Sequence, residues 1–346
     1  MIYFVIFALM TRIENYDLSA HNTFRMKAKC SLYIEYETVE ELKGLDWKSL
    51  PQPVMHIGAG SNLLFTGDFP GTVLHSRVQF MKFVDMGLDE VLMTVGSGVV
   101  FDDFVARACD AGLWGAENLS LIPGETGAAA VQNIGAYGAE VKDIIAGVVC
   151  LDTRDWSKTV FKTEECRYAY RDSMFKHEKG RYIITSVLFR LTRRHSPKLE
   201  YGGIKAALEG LDYKAVTPNI VRGAVIDIRR SKLPDPAETG SAGSFFKNPV
   251  VAREDYARIA GLFPGEVPHF DLPDGTVKIP AAWMIDRCGL KGARIGGAQV
   301  YEKQPLVLVN ASGDATAQDV LALERRVVAA VKDRFGVELR PEVEHV

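Results

Sequence analysis

Three polar residues in short, distinctive segments could carry out acid–base or charge-stabilising chemistry. Ser244 lies between a glycine and two aromatic residues, Arg171 follows Tyr170, and Glu342 lies in an extended segment interrupted by proline. A serine hydroxyl can act as a nucleophile or give a proton, and an arginine can bind a carboxylate or stabilise charge that develops on one. Taken alone, Arg171 is better explained by a surface salt bridge to Asp172 than by a functional role, and Glu342 is better explained as a solvated charge. For Ser244, a structural turn and a functional role explain the residue equally well.

Ser244 does not fit the serine hydrolases. The nucleophile elbow of those enzymes needs a glycine two residues after the serine, and Phe246 stands there. The seven histidines are scattered without a spacing that would supply a catalytic partner, and we interpret most of them as surface or core residues.

Two glycine-rich stretches could approach an anionic ligand closely. The first, 58–62 (GAGSN), offers consecutive backbone N–H groups that can bind a phosphate or pyrophosphate, although a plain tight turn explains it better by itself. It is not the Rossmann fingerprint, because a strand and not a helix is predicted to follow. The second, 115–138, is dense in small side chains and hydrogen-bonding groups. It favours binding of a long, flat dinucleotide over a merely close-packed loop.

Helical and strand patterns alternate irregularly around these stretches, which predicts an α+β fold and not a doubly wound parallel sheet. A boundary between domains is predicted near 229–236, where prolines interrupt the pattern. The predicted strands are 54–57, 63–65, 91–95, 144–151, 182–191 and 305–309, and the predicted helices are 101–111, 280–288 and 318–335.

Composition sets the broad class. The chain has 346 residues, of which 47% are hydrophobic and 25% charged, as in soluble globular proteins of two or three domains. Its 41 basic and 44 acidic residues give a net charge of -3, without the basic excess that a nucleic-acid surface brings. The five cysteines form no CxxC pair, which argues against a zinc site or disulfide framework and favours a reducing compartment.

The apolar segment 1–10 is too short to span a membrane and lacks the features of a signal peptide. We interpret it as an extension that precedes the true start at Met10. A short tail that associates with a membrane or a partner is the alternative.

Eight segments, in this order, resemble the UDP-N-acetylenolpyruvoylglucosamine reductase family of bacterial peptidoglycan synthesis. Each segment alone is unspecific, but the ordered set is highly specific and extends from about residue 11 to residue 346. The segments are 21–24 (HNTF), 58–62 (GAGSN), 122–138, 170–173 (YRDS), 232–236 (KLPDP), 242–249 (AGSFFKNP), 295–298 (IGGA) and 341–343 (PEV).

The resemblance implies three α+β domains, with an FAD-binding cradle of the vanillyl-alcohol-oxidase (PCMH) type and a C-terminal substrate domain. Subdomain 1 would span 11–77 and be joined by a strand at 334–346, subdomain 2 would span 78–229, and the substrate domain 230–333. Residues 1–10 would be a non-native or disordered extension. The resemblance also implies a cytoplasmic monomer with non-covalent FAD, NADPH as co-substrate, a UDP-sugar substrate, and no metal, nucleic-acid or membrane partner.

In that family a hydride passes from NADPH to N5 of FAD and then to the vinyl carbon of UDP-N-acetylglucosamine enolpyruvate, which becomes UDP-N-acetylmuramate. By resemblance, Ser244 then gives a proton to the adjacent carbon. Arg171 would stabilise the charge that builds on the carboxylate, and Glu342 would be the catalytic glutamate near it. An arginine that binds the growing charge better than the ground-state carboxylate accelerates the reaction by differential binding.

The resemblance also implies the binding residues. Tyr201, in the sequence Leu-Glu-Tyr-Gly-Gly, matches the substrate-loop tyrosine of the family's first structural type, and Lys232 would face the pyrophosphate of the sugar nucleotide. The implied substrate-binding residues are Tyr170, Tyr201, Lys232, Asn248 and Gln304. The implied cofactor-binding residues are Gly58, Ala59, Gly60, Ser61, Asn62, Leu63, Pro123, Gly124, Thr126, Gly127, Ala128, Asn133, Gly135, Ala136, Tyr137 and Gly138.

Two departures from the family pattern leave local details open. Glu125 and Thr126 stand where other members carry different small residues, and Gly203 stands where an acidic residue is expected. They leave the pyrophosphate contacts and the turn after Tyr201 undecided.

Two other functions remain as alternatives: a flavin enzyme of the same fold that oxidises an alcohol or sugar, and a non-catalytic flavin sensor. The joint presence of Ser244, Arg171 and Glu342 argues against a sensor. The candidates for a covalent flavin link, His56 and Cys109, lie outside the 123–138 stretch, which favours non-covalent FAD.

Overall fold

The structure, a computed structural model, describes residues 10–346 and forms two compact units. Unit 1 contains the residues up to Tyr16 together with 30–59 and 69–231, and unit 2 contains 17–29, 60–68 and 232–346. The chain leaves unit 1 for the last time after Ser231, inside the region 229–236 where the sequence pattern is interrupted. The predicted extension lies outside the described residues except for Met10. The boundaries of the three predicted domains stay a prediction.

Helices and strands alternate irregularly in the described part of the chain, and the predicted α+β class is confirmed. The strands are β1 (Thr11–Asp17), β2 (Lys29–Tyr36), β3 (Val54–Ile57), β4 (Leu63–Leu64), β5 (Phe69–Ser76), β6 (Met81–Asp85), β7 (Glu90–Gly96), β8 (Gly135–Ala136), β9 (Ala139–Glu140), β10 (Ile145–Asp152), β11 (Lys158–Lys162), β12 (Tyr182–Thr192), β13 (Gly240–Ser244), β14 (Val250–Val251), β15 (Phe270–Asp271), β16 (Val277–Lys278), β17 (Arg294–Ile295), β18 (Ala298–Val300), β19 (Val307–Asn310) and β20 (Glu344–His345). The helices are α1 (Val39–Lys43), α2 (Phe101–Asp110), α3 (Thr126–Gln132), α4 (Met174–His177), α5 (Gly202–Ala207), α6 (Pro218–Lys232), α7 (Arg253–Ala260), α8 (Ala281–Arg287) and α9 (Ala317–Phe335).

The first sheet of unit 1 has the order β1-β2-β5-β3, and both β2 and β3 run parallel to β5. Parallel strands with alternating apolar residues bury one face, here built on Leu32, Ile34 and Leu74. The register places Glu35 of β2 and Ile57 of β3 on either side of His75 in β5. The polar residue His75 therefore lies near the end of the buried strand β5.

The second sheet of unit 1 is antiparallel, with the order β11-β10-β12-β7-β6. Helix α2 packs on the core of this sheet through the one apolar face that its helical spacing predicts, and Phe104 stacks on Phe189 of β12 with ring centroids 4.2 Å apart. The helix ends before Gly112, whose φ of +70° is accessible to glycine without a steric penalty. The buried residues of α2 are Phe101, Phe104, Val105, Ala108 and Cys109.

Unit 2 contains a sheet of order β13-β19-β18-β17, a small sheet of order β14-β16-β15, and the parallel pair β20 and β4. Helix α9 begins with a capping box between Thr316 and Asp319 and ends at Gly336, which has a φ of +72°. The helical spacing of its sequence predicts an apolar stripe, and two residues of that stripe, Leu321 and Val328, are only half-buried at its edge. The predicted stripe consists of Val320, Leu321, Leu323, Val327, Val328 and Val331. The buried residues of α9 are Val320, Leu323, Val327, Val331 and Phe335.

Residues 10–346 contain neither a membrane-spanning helix nor a cluster of metal-ligating side chains. No helix there is both long and apolar enough to cross a membrane. In the same residues, His, Cys, Asp and Glu side chains form no group of three that could hold a metal ion.

Candidate active site

In unit 1, the Gly58-Ala59 turn after β3 lies against the beginning of α3. A β-carbon on Gly58 would lie 3.2 Å from Cβ of Ala128 and 3.3 Å from Oε2 of Glu125, so a larger residue would crowd this contact. The start of α3 is fixed from the other side, because Gly127 donates its N–H to the main-chain oxygen of Ser97 at 3.0 Å. The predicted cofactor residues of the two glycine-rich stretches thus meet within unit 1.

The second half of the glycine-rich stretch forms a hairpin of β8 and β9. Tyr137 and Gly138 connect the strands with φ angles of +50° and +81°, the pair of positive angles that a type I′ turn needs. Asn133 ends α3 in the left-handed conformation and is buried, and its side-chain amide donates to the main-chain oxygen of Ala169 at 2.8 Å. This arrangement leaves Gly135 and Ala136 half-buried.

Arg171 faces this hairpin from a tight turn. Ala169 and Asp172 exchange two main-chain hydrogen bonds of 3.1 Å, and Arg171 between them has a φ of +54°. Its guanidinium donates to the main-chain oxygens of Asn133 and Gly135 and lies 5.2 Å from the ring centroid of Tyr170. These contacts hold the positively charged guanidinium, which has five N–H groups, beside the predicted cofactor residues.

Tyr137 connects the hairpin to a predicted substrate residue and to one that the sequence did not reveal. Its ring meets that of Tyr201 edge to face, with centroids 5.2 Å apart. Its hydroxyl interacts with Arg229 of α6, which also donates from Nε to the main-chain oxygen of Leu121 at 3.1 Å. Burial lowers the pKa of Arg229 and raises that of Tyr137. Only the position of Arg229 three residues before Lys232 could have marked it in the sequence.

In unit 2, a β-bulge sets the position of Ser244. Ser241 pairs with Val309 but Ser244 pairs with Val307, so β13 contains one residue more than β19 in this interval. Gly243 accommodates the extra residue with a φ of +69°. Bulges of this kind change the direction of a side chain and are frequent beside active sites. Ser244 is only partly buried.

The segment that contains Glu342 runs beside β13. The N–H of Glu342 donates to the main-chain oxygen of Phe245 at 2.8 Å, and its own main-chain oxygen accepts from the side-chain amide of Asn62 at 3.1 Å. The structure therefore brings Ser244, Glu342 and Asn62 together. Gly60 is required here as well, because a β-carbon with its φ of +65° would lie 2.0 Å from the main-chain oxygen of His21.

The other predicted residues of unit 2 surround this segment to different degrees. Gln304 begins the turn that leads into β19, and its main-chain oxygen accepts from the N–H of Val307, the residue opposite Ser244. The side-chain oxygen of Asn248 accepts from the N–H of Ala281 at 2.9 Å and thereby caps α8. Lys232 is exposed at the end of α6. Among the remaining cofactor residues, Ser61 is half-buried, and Leu63 pairs with Glu344 in the β4–β20 ladder.

Sequence comparison places these residues in a family. A protein from Bacteroides fragilis named UDP-N-acetylenolpyruvoylglucosamine reductase is 46% identical to the chain over 335 residues, which are 96% of this chain and 99% of the relative. The chain belongs to the UDP-N-acetylenolpyruvoylglucosamine reductase family. Relatives of the same name from Porphyromonas gingivalis and Neisseria gonorrhoeae are 45% and 43% identical and cover 96% and 94% of this chain.

Other comparisons agree with membership of the UDP-N-acetylenolpyruvoylglucosamine reductase family. Residues 235–346 match the model of the family's C-terminal domain, and residues 37–155 match an FAD-binding domain. The crystal structure of the reductase from Thermus caldophilus superimposes with a TM-score of 0.67 at 25% identity, covering 97% of this chain and 98% of that one. The predicted family, the oxidoreductase class and FAD as the cofactor are confirmed.

The residues present fit the FAD that this reductase family uses. A β-carbon would crowd its neighbours at Gly58 and would overlap the main chain of His21 at Gly60, so glycine suits both positions and no side chain there covers the turn. The predicted pyrophosphate segment contains no cation that would compete with the ligand for these N–H groups. Cys109, a candidate for a covalent flavin link, lies in the core, where burial raises the pKa of its thiol to about 12. Such a thiol is a poor nucleophile.

Proposed function

We propose that the protein reduces UDP-N-acetylglucosamine enolpyruvate to UDP-N-acetylmuramate with NADPH, as a monomer in the cytoplasm. The enzymes named UDP-N-acetylenolpyruvoylglucosamine reductase support this, since they match the chain over nearly its whole length. The observation that carries the proposal is the β-bulge of unit 2, which puts the hydroxyl-bearing Ser244 beside the Glu342 segment.

The cofactor would be held by the main chain of two glycine-rich segments. Gly58 and Ala59 in unit 1 present the N–H groups of a turn, and the α3 region and the β8–β9 hairpin present small residues beside it. The family resemblance assigns the same role to Gly60, Ser61, Asn62 and Leu63. Bound FAD supplies the hydride carrier that no amino-acid side chain can replace.

Ser244 is assigned the proton that completes the reduction. A serine hydroxyl is a weak acid, so its alkoxide needs a positive or hydrogen-bonding neighbour. The N–H groups of Phe245 and Lys247 already donate to the main-chain oxygens of Leu306 and Arg340. We therefore assign the supporting charge to the ammonium group of Lys247.

Arg171 and Glu342 are assigned to the carboxylate of the substrate. The guanidinium of Arg171 is fixed by two main-chain oxygens, so it needs little reorganisation when charge develops on a nearby group. The backbone of Glu342 is fixed by Phe245 and Asn62. The guanidinium of Arg171 and the main chain of Glu342 are thus held in place before the reaction begins, and a fixed charge of this kind can stabilise a transition state electrostatically.

The sugar nucleotide is assigned to the remaining predicted residues. Lys232 is exposed and would act on the pyrophosphate as a point charge. Tyr201 is 43% exposed and meets Tyr137, so its ring can be reached from the solvent. Tyr170, Asn248 and Gln304 complete the set.

Absorbance spectroscopy and a coupled assay test this function. The purified protein should show a flavin spectrum, and it should oxidise NADPH when UDP-N-acetylglucosamine enolpyruvate is added. Acid precipitation should release the flavin into solution, since we expect non-covalent binding. Oxygen-dependent oxidation of an alcohol or sugar would favour the oxidase alternative, and bound flavin without any turnover would favour the sensor. A protein that binds no FAD would refute the proposal.

A further inference from the structure

A buried cluster of charges lies directly beneath the Gly58-Ala59 turn. His75 donates or accepts through both ring nitrogens: Nε2 lies 2.8 Å from Oε1 of Glu125, and Nδ1 lies 3.0 Å from Oε2 of Glu35 and 2.8 Å from the hydroxyl of Tyr33. His75 is 4% exposed and Glu125 is 6% exposed. Two carboxylates thus share one imidazole in unit 1: the buried Glu125 and the half-buried Glu35.

Glu125 connects this cluster to the turn. It is the residue immediately before α3, but its carboxylate does not cap that helix. One oxygen binds His75, and the other lies 3.3 Å from the position of a β-carbon on Gly58. A negative side chain is therefore packed under the N–H groups to which we assign the diphosphate of FAD. Without compensation, its charge would repel that anion.

The charges of the cluster balance only when the imidazole is protonated. Arg77 lies 3.6 Å from Glu35, so two cations then face two carboxylates. Burial alone would lower the pKa of His75, but the hydrogen bonds and charges of Glu125 and Glu35 raise it above the ordinary 6.5. Loss of the proton leaves one uncompensated negative charge. The titratable or charged groups around His75 are Tyr16 of β1, Tyr33, Glu35 and Tyr36 of β2, His56 of β3, Arg77 after β5, and Glu125 before α3.

We propose that protonated His75 neutralises Glu125 beneath the Gly58-Ala59 turn and thereby sets the affinity of that turn for the diphosphate of FAD. The inference rests on the proposed function, in which the turn accepts that diphosphate. His75 and Glu125 are positioning residues in this proposal, because they act on the ligand through the turn. FAD affinity should therefore decrease as the pH rises and His75 loses its proton.

Titration of the apoprotein with FAD, followed by the quenching of flavin fluorescence between pH 6 and pH 9, tests this proposal. For the wild type, we expect the Kd to rise about tenfold over this range, the scale of one unit charge that is partly screened. The variant His75→Gln should bind FAD weakly and without pH dependence. The variant Glu125→Gln should bind more tightly than the wild type at pH 9, because it removes the repelling charge.

The double variant His75→Gln/Glu125→Gln separates charge from structural support. It restores neutrality, so its FAD affinity should be independent of pH and close to that of the wild type at pH 6. A purely structural role predicts the opposite, since two lost contacts would weaken binding further than one. Glu178→Gln is the matched control: Glu178 is a carboxylate of unit 1 that pairs with Arg167 and Arg181 and is expected to leave the Kd unchanged. Circular dichroism and thermal melting verify that each variant folds.

Each outcome decides one of the two proposals. Wild-type protein that binds no FAD at any pH refutes the proposed function. FAD binding with a Kd that is independent of pH, or a double variant that is weaker than both single variants, refutes the role of His75 and leaves the proposed function intact.

Discussion

The two compact units hold their candidate site residues by different means. In unit 2, Ser244 and Glu342 are positioned by main-chain hydrogen bonds between extended segments, over the buried rings of Phe245 and Phe246. In unit 1, the glycine turn lies on the buried charges of His75 and Glu125. A site supported by main chain tolerates the loss of one side chain. A site supported by buried charges responds to every change in their protonation.

Ser244→Ala should give the largest effect and test the robustness of the unit 2 site. Main-chain bonds hold residue 244, so the substitution removes a proton donor and leaves the geometry. Product formation should slow by about 10²–10⁴, the usual contribution of a proton donor. Bleaching of the flavin absorbance by NADPH and FAD affinity should not change. Stopped-flow absorbance, with and without the sugar nucleotide, measures the two half-reactions, which are reduction of the flavin by NADPH and formation of product.

The control for this substitution is Ser241→Ala, on the same strand three residues earlier, which should keep normal rates. If both half-reactions slow equally in Ser244→Ala, the substitution disturbs the geometry of the site, and the main-chain hydrogen bonds do not hold residue 244 in place. If product forms at the wild-type rate, Ser244 is only a turn residue.

Arg171→Ala should reduce turnover by roughly 10²–10³, as the loss of one charge-stabilising donor typically does. Its guanidinium also holds the main-chain oxygens of Asn133 and Gly135, so a smaller loss of FAD affinity should accompany the effect. Steady-state rates at saturating FAD, together with a separate FAD titration, distinguish the two contributions.

Arg167→Ala is the matched control, since Arg167 is also an arginine in the left-handed conformation but pairs with Glu178. Full recovery of turnover in Arg171→Ala at saturating FAD would limit Arg171 to support of the hairpin.

Lys232→Ala should raise the KM for the sugar nucleotide by about tenfold and leave kcat nearly unchanged. A lysine that acts as a point charge on a pyrophosphate binds ground state and transition state alike. Initial rates at varied substrate concentration measure the two constants, and Lys291→Ala, which removes an exposed lysine of unit 2, serves as the comparison. A large fall in kcat would contradict the assignment.

The smallest effect concerns stability and pH. Because the pKa of His75 is raised in the folded protein, its proton is bound more tightly there than in the unfolded chain. This contribution to stability is complete below about pH 6.5 and is lost as the pH rises through the folded pKa. Tm should therefore fall by a few degrees between pH 6 and pH 9. The Tm of His75→Gln should lack this fall. An equal pH dependence of Tm in the wild type and in His75→Gln would contradict the contribution of His75.

Local pattern predicted much of the fold. The apolar spacing of α2 and α9 gave their buried faces, and the runs at Val54–Ile57 and Val91–Val95 are strands. Helix α6 was missed because basic residues and a glycine interrupt the stripe of Val221, Val225 and Ile228. Helix α3 was missed because its Gly and Ala residues also suit a loop, and its packing partners are distant in sequence.

The family motifs identified the candidate residues but not the contacts that hold them in position. Ser244 was found in a motif, whereas the extra residue that fixes its direction depends on the register with β19. His75 was grouped with the scattered histidines, and Glu125 was noted only as a departure from the family pattern. The two are 50 residues apart, and only the packing of β5 against the start of α3 joins them. Pairings of this kind leave no periodic signal in a single sequence.

The pairing of β20 with β4 has a consequence for synthesis on the ribosome. Glu344 and His345 form a parallel ladder with Leu63 and Leu64, and Thr66 donates to the main-chain oxygen of Val346 across 280 positions of sequence. Residues 60–68 therefore emerge long before their partners and wait, without their final hydrogen bonds, while more than two hundred residues are translated. Contacts so far apart in sequence are slow to form. Unit 2 should therefore acquire its native structure only after residues 344–346 have emerged from the ribosome, whereas most of unit 1 can fold before they do.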